Sequence, residues 1–99
     1  MIHSLFVVDI TYTRPLDEID GHVEGHMAFI REQYAKGIFI VSGPKVPREG
    51  GVILAKMESR SELDALLDQD PFKKEGVAKY TVTEFVGKTY APGFDAFMK

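Results

Sequence analysis

The sequence predicts an α+β fold: an antiparallel sheet built from elements in the order β-α-β-β-α-β, with two helices on one face. Three observations predict it. Runs rich in β-branched and aromatic residues open at residues 3, 38, 51 and 79. Two stretches with apolar residues three and four apart lie between the first and second runs and between the third and fourth. Turn-forming residues punctuate the remainder. Ninety-nine residues fit one domain spanning 1–99, since domains commonly run to about 100–150 residues.

Residues 3–12, "HSLFVVDITY", are apolar on both faces in the middle, which suits a buried central strand. "TRP" breaks it, with Thr13 near a cap and Pro15 in the first helical turn. From Leu16 to Lys36 apolar residues fall at 16, 19, 23, 27, 30 and 34, the signature of one helix of five turns. Gly21 and Gly25 each weaken it by about 1 kcal/mol relative to alanine, and Gly37 stops it. A second strand, "IFIVSG" (38–43), leads through the loop "PKVPREGG" to a third, "GVILAKM" (51–57). Ser59 and Glu62 form a capping box ahead of Leu63, Leu66 and Leu67. That helix cannot pass smoothly through "DQDPF", because the residue before proline avoids the α region. "KYTVTEFV" (79–86) alternates as a fourth strand, and residues 87–99 form a tail without a clear period.

This order is compatible with a ferredoxin-like sheet, which leaves one face uncovered. Strict alternation sets Leu5 and Val7 against Phe6 and Val8, and Ile38 and Ile40 against Phe39 and Val41, so both faces are apolar. A large apolar face marks an interface. A homodimer packed sheet against sheet, with the 87–99 tail reaching across, is the economical cover.

Composition bounds the function. The chain is 44% hydrophobic and 27% charged, ordinary for a soluble globular protein. Without cysteine it has no disulfide and no thiolate metal site. A net charge of −3 gives no electrostatic reason for a nucleic-acid partner. No apolar run approaches the ~20 residues that span a bilayer, and the first residues do not read as a signal peptide. A bacterial-type cytoplasm is the expected setting.

"HVEGHMAFI" (22–30) places two histidines one helical turn apart, close to the zinc-protease pattern. At ~100° per residue, Glu24 projects about 160° from His26, and Val23 fills the slot that the protease glutamate would occupy. A third protein ligand would have to come from His3 or Asp70, and no metal is expected. On the same wheel Ile19, Ile30, Val23, Tyr34 and Leu16 form a buried stripe. His26 falls inside it, His22 at its border and Phe29 beyond. An inward histidine serves either as a hydrogen-bonded core residue or as an acid–base group, and a carboxylate aimed at its ring favours the second role. Asp70, after the second helix, is one such carboxylate; it also reads as the N-cap of a short turn begun by Pro71. Ser42, Gly43 and Pro44 end the second strand, where a turn can present a hydroxyl and amides to a cleft, although turn chemistry alone accounts for them. Lys45 and Arg48 in the following loop could attract an anionic substrate or be simply solvated. There is no G-x-S-x-G, P-loop or dinucleotide fingerprint.

Taken together, "GHMAFIREQYAKGIFIVSGP" (25–44), Gly50, Gly51 and "DPFKKEGV" (70–77) resemble the YciI-like family of small bacterial proteins, in the dimeric α+β barrel superfamily. The resemblance implies a ferredoxin-like fold, a homodimer joined through its sheets, and a cleft with a His–Asp pair at His26 and Asp70. His22 matches no part of it. It implies no settled reaction, since related barrels include lactone isomerases and dehalogenating and oxygenating enzymes. The expectation is a small enzyme that needs no cofactor and acts on an unidentified organic metabolite by proton transfer, isomerisation or hydrolysis. Ser42, Gly43 and Pro44 would touch the substrate. The alternative is a non-catalytic dimeric binding or accessory protein in which the His–Asp contact is structural.

Overall fold

The computed structural model describes residues 4–98. Its four strands are β1 (Ser4–Tyr12), β2 (Phe39–Pro44), β3 (Gly50–Lys56) and β4 (Ala78–Val86), hydrogen-bonded in the order β2-β3-β1-β4. Every neighbouring pair is antiparallel. Four helical segments join them: α1 (Leu16–Asp20), α2 (Val23–Ala35), α3 (Arg60–Leu67) and α4 (Pro71–Lys74), and a 3₁₀ turn follows at Phe94–Met98. The fold is therefore the expected α+β arrangement, with boundaries within a residue or two of those read from the sequence.

Alternation along β1 makes the core. Phe6, Val8 and Ile10 point to the helical side and are buried with Ile53 and Ala55 of β3. Phe29 and Ile30 of α2, with Leu63 and Leu67 of α3, close over them. Burying each such side chain contributes about 1.5–3 kcal/mol. A second cluster of Ile19, Phe72 and Val77 seals the end of the sheet near Tyr12 and Tyr80. Ser59 caps α3 by accepting from the Glu62 amide at 3.2 Å. Thr13 caps nothing: its hydroxyl donates to the Gly76 carbonyl at 3.4 Å, and Pro15 itself occupies the cap of α1.

Two local expectations are overturned. The helix expected from Leu16 to Lys36 is broken at Gly21–His22, where the amides of Gly21 and His22 bond three residues back, to Glu18 and Ile19. Helical phase carried across that break is wrong for α2. Its buried positions are Phe29, Ile30 and Gln33, whereas Tyr34 and Met27 are exposed. In β2, Phe39 pairs with Ala55 and Val41 with Leu54, so Ile40 is the extra residue of a β-bulge. Phe39 and Val41 consequently face opposite sides of the sheet, not the same side.

The face away from the helices carries Val41, Leu54, Val7 and Thr83 in one row across the four strands. Val52 lies opposite Asp9, and Phe85 opposite Leu5. Val41 is 57% exposed, and Val52 and Phe85 are also open. At one end of this face Leu5 and Met98 both crowd Gly87, so the chain's last described turn lies against its own sheet. Among the described residues, no helix is long and apolar enough to cross a membrane.

Candidate active site

His26 sits one turn into α2, and its Nδ1 lies 2.8 Å from Oδ1 of Asp70. The carboxylate comes from the break that Pro71 forces between α3 and α4. There Asp70 adopts extended backbone, caps α4 and accepts from the Phe72 amide at 3.1 Å. Capping and histidine pairing are thus one arrangement, because Oδ1 accepts both bonds. The other oxygen, Oδ2, accepts from the Tyr80 hydroxyl at 2.5 Å. Asp70 is fully buried and the His26 side chain 13% exposed. A buried carboxylate needs this many donors to offset its lost hydration.

The ring is fixed in two more ways. Phe72 stacks on it face to face, with centroids 3.9 Å apart and planes 7° from parallel. Pro71 packs against Gly25: a Cβ there would stand 3.3 Å from its Cγ. The glycine that weakens α2 therefore leaves the room that Pro71 of α4 occupies. Burial, then the charge of Asp70, pushes the Tyr80 phenol far above its ordinary 10.0. Tyr80 is consequently a neutral donor to the carboxylate.

His26 lines a cavity of about 300 Å³; Asp70 does not. One wall is α2, through Val23, Met27 and Ile30; the other is the sheet, through Ile10, Tyr12 and Ile53. Ser42, Gly43 and Pro44 stand at its edge with Gly50 and Gly51. The bulge matters here, because it pairs Ser42 with Ile53 and so turns it to the helical side. Its hydroxyl lies 2.5 Å from that of Tyr34 on α2. A hydroxyl has one donor and two acceptor positions, so Ser42 keeps capacity for a ligand. Gly50 is required sterically, since a Cβ would lie 1.7 Å from the Ile10 carbonyl oxygen.

The loop cations part company. Lys45 donates to Asp9 at 2.8 Å and to Thr11 at 3.2 Å. That hydrogen bond holds the Asp9 carboxyl below the usual range, and both partners belong to the face away from the helices. Arg48 lines the cavity. His22 is at the N-cap of α2 and does not line it. Among the described residues, no group of three or more histidine or carboxylate side chains is placed to hold a metal; His3 lies outside them.

Sequence reasoning missed Tyr80, Phe72 and Tyr12 around the histidine. For Tyr80 a weak signal existed: alternation in "KYTVTEFV" puts it on one face with Val82. Its reach to Asp70 depends on how α4 docks, which no local pattern encodes.

A family model described as a YCII-related domain matches residues 5–86. Among solved structures, the chain is similar to the 5-chloro-2-hydroxyhydroquinone dehydrochlorinase of Burkholderia phenoliruptrix AC1100, in complex with 2,5-dihydroxybenzoquinone. The superposition has a TM-score of 0.71 at 22% identity and covers 82% of this chain and 92% of that one. At this identity the likeness speaks to the fold. No curated protein matches the chain.

Proposed function

Because the chain belongs to the family of YCII-related domains, we propose that it is a small enzyme acting on an organic metabolite by general acid–base chemistry at His26. One observation carries the reading: His26 is tied through Nδ1 to a buried carboxylate while the same ring lines the cavity. With Nδ1–H donated to Asp70, the lone pair of a neutral ring is on Nε2, the nitrogen left for a substrate. Nε2 takes a proton from a substrate C–H or O–H, or from water. The imidazolium so formed remains opposite Asp70, which the Tyr80 hydroxyl and the Phe72 amide hold in place. Ser42, with the backbone of Gly43 and Pro44, binds a polar substrate group. Dehydrochlorination, the activity named for the structural relative, removes a proton along with chloride and so falls in this proton-transfer class.

The functional unit is a homodimer joined through the sheet face of Val41, Val52 and Phe85, and the support is the exposure of these three apolar residues. Tyr90 and Phe97 of the tail, half-exposed beside Phe94, offer further apolar surface to the partner.

A thermal-shift screen of a metabolite library on the parent and on His26→Gln tests the enzyme reading. The expected hit stabilises both proteins and is consumed by the parent, with the variant slower by about 10²–10⁴-fold. Equal consumption by both proteins would sink it.

A second reading draws on the full burial of Asp70 and its cap on α4. Here the protein is a binding or accessory dimer and the His–Asp contact is structural. A loss of several kcal/mol in His26→Ala, with no ligand for the parent, would favour it. Retained or increased stability favours the enzyme, because active sites trade stability for activity.

A further inference from the structure

The geometry points to Arg48 as an anion anchor for this cavity: the substrate carries a carboxylate-sized anionic group, and Asp20 holds Arg48 until that group displaces it. This rests on the cavity being the substrate site served by His26. Among the described residues Arg48 is the one arginine or lysine in the cavity lining, and its carboxylate partner, Asp20, is not part of that lining. Its loop neighbour Lys45 is committed elsewhere, to Asp9 and Thr11. Arg48 donates one bond from Nη2 to Asp20 Oδ1 at 2.7 Å, and its guanidinium lies 5.8 Å from the centroid of the Tyr12 ring.

The Asp20 contact is suited to exchange. Its side chains are 39% exposed for Arg48 and 58% for Asp20, and ion pairs this open to water are weak. A guanidinium has five N–H donors in a planar fork, which matches a carboxylate better than one oxygen of Asp20 does. Asp20 ends the short helix α1, directly before the Gly21–His22 break, so its release strains no long element.

The rings between Arg48 and His26 define the rest of the ligand. Tyr12 meets Phe72 edge to face at 5.8 Å, and Phe72 stacks on His26. The anchor and the proton acceptor thus line one cavity and are linked through a run of ring contacts, Tyr12 and Phe72. A ligand that uses both has an anionic head at Arg48, an apolar body along Tyr12 and Met27, and its reacting atom at His26.

Calorimetric titration with benzoate and its neutral counterpart benzamide tests the assignment on the parent, Arg48→Gln, Asp20→Asn and His26→Gln. Circular dichroism checks that each variant is folded. The parent is expected to prefer benzoate by about tenfold or more, as a charge-assisted contact implies. Arg48→Gln should erase the preference, and Asp20→Asn should tighten benzoate severalfold. His26→Gln should keep the preference even though it slows turnover. No benzoate binding to the parent, no preference over benzamide, or a preference surviving in Arg48→Gln overturns the anchor. An unchanged benzoate affinity in Asp20→Asn overturns the displacement. Failure of the acid–base reading looks different: His26→Gln would then turn over substrate normally while the Arg48-dependent preference persists.

Discussion

Three consecutive residues, Asp70, Pro71 and Phe72, serve a single turn of α2, each through a different force. Asp70 binds the edge of the His26 ring, Phe72 covers its face, and Pro71 packs where Gly25 leaves room. From the sequence, the N-cap and the histidine partner looked like rival roles for Asp70. They are compatible because a carboxylate oxygen accepts more than one bond. The third donor, Tyr80, yields a prediction at this scale. Its neutral form is favoured by the folded state, so it stabilises the fold below the ordinary tyrosine value of 10.0, and that contribution is lost as pH rises above it. Tyrosinate absorbance at about pH 11, measured while the protein is still folded, should therefore be the same for the parent and for Tyr80→Phe. A clear drop in the variant would show that Tyr80 ionises freely. His26 and Asp70 were legible as candidates because a histidine on an apolar stripe and an Asp-Pro step leave local marks; Tyr80 left almost none.

At the scale of elements, strands and helices were legible because their periods, 2 and 3.6, are properties of consecutive residues. What failed was continuity. A periodic pattern runs undisturbed through Gly21–His22, yet the chain tightens there into three-residue bonds, and the phase of α2 starts afresh. His26 stayed inward despite this, while Tyr34, expected in the buried stripe, is exposed. Close approaches between elements were equally silent. Gly50 read as part of a turn, but its role is to let β3 lie on the Ile10 carbonyl at the rim of the cavity. Gly50→Ala puts a methyl into backbone, which can move only by parting β1 from β3. A loss of about 1–3 kcal/mol or more is expected, read as a lower midpoint in urea unfolding. An unchanged midpoint would mean that the two strands separate here at no cost.

For the whole molecule, the proposed homodimer rests on the open sheet face. A chain of this length buries about 60–65% of its unfolded surface, and a second copy on Val41, Val52 and Phe85 would add to that core. Sedimentation at micromolar concentration should find the parent a dimer and Val41→Glu a monomer, with the far-ultraviolet dichroism unchanged. A monomeric parent would remove the sheet-to-sheet assembly. Two-faced strands were legible in the sequence, but which residue of β2 looked outward was not, because strict alternation has no place for a bulge. That bulge also bears on how relatives of this chain are compared. β2 holds one residue more than the stretch of β3 it pairs with. A relative that lacks a residue at Ile40 would keep the counterparts of Phe39, Val41 and Ser42 on their present sides. A gap at that point in an alignment is therefore a neutral difference in length, whereas an alignment that closes the gap by sliding the strand would exchange cavity positions for outer-face ones.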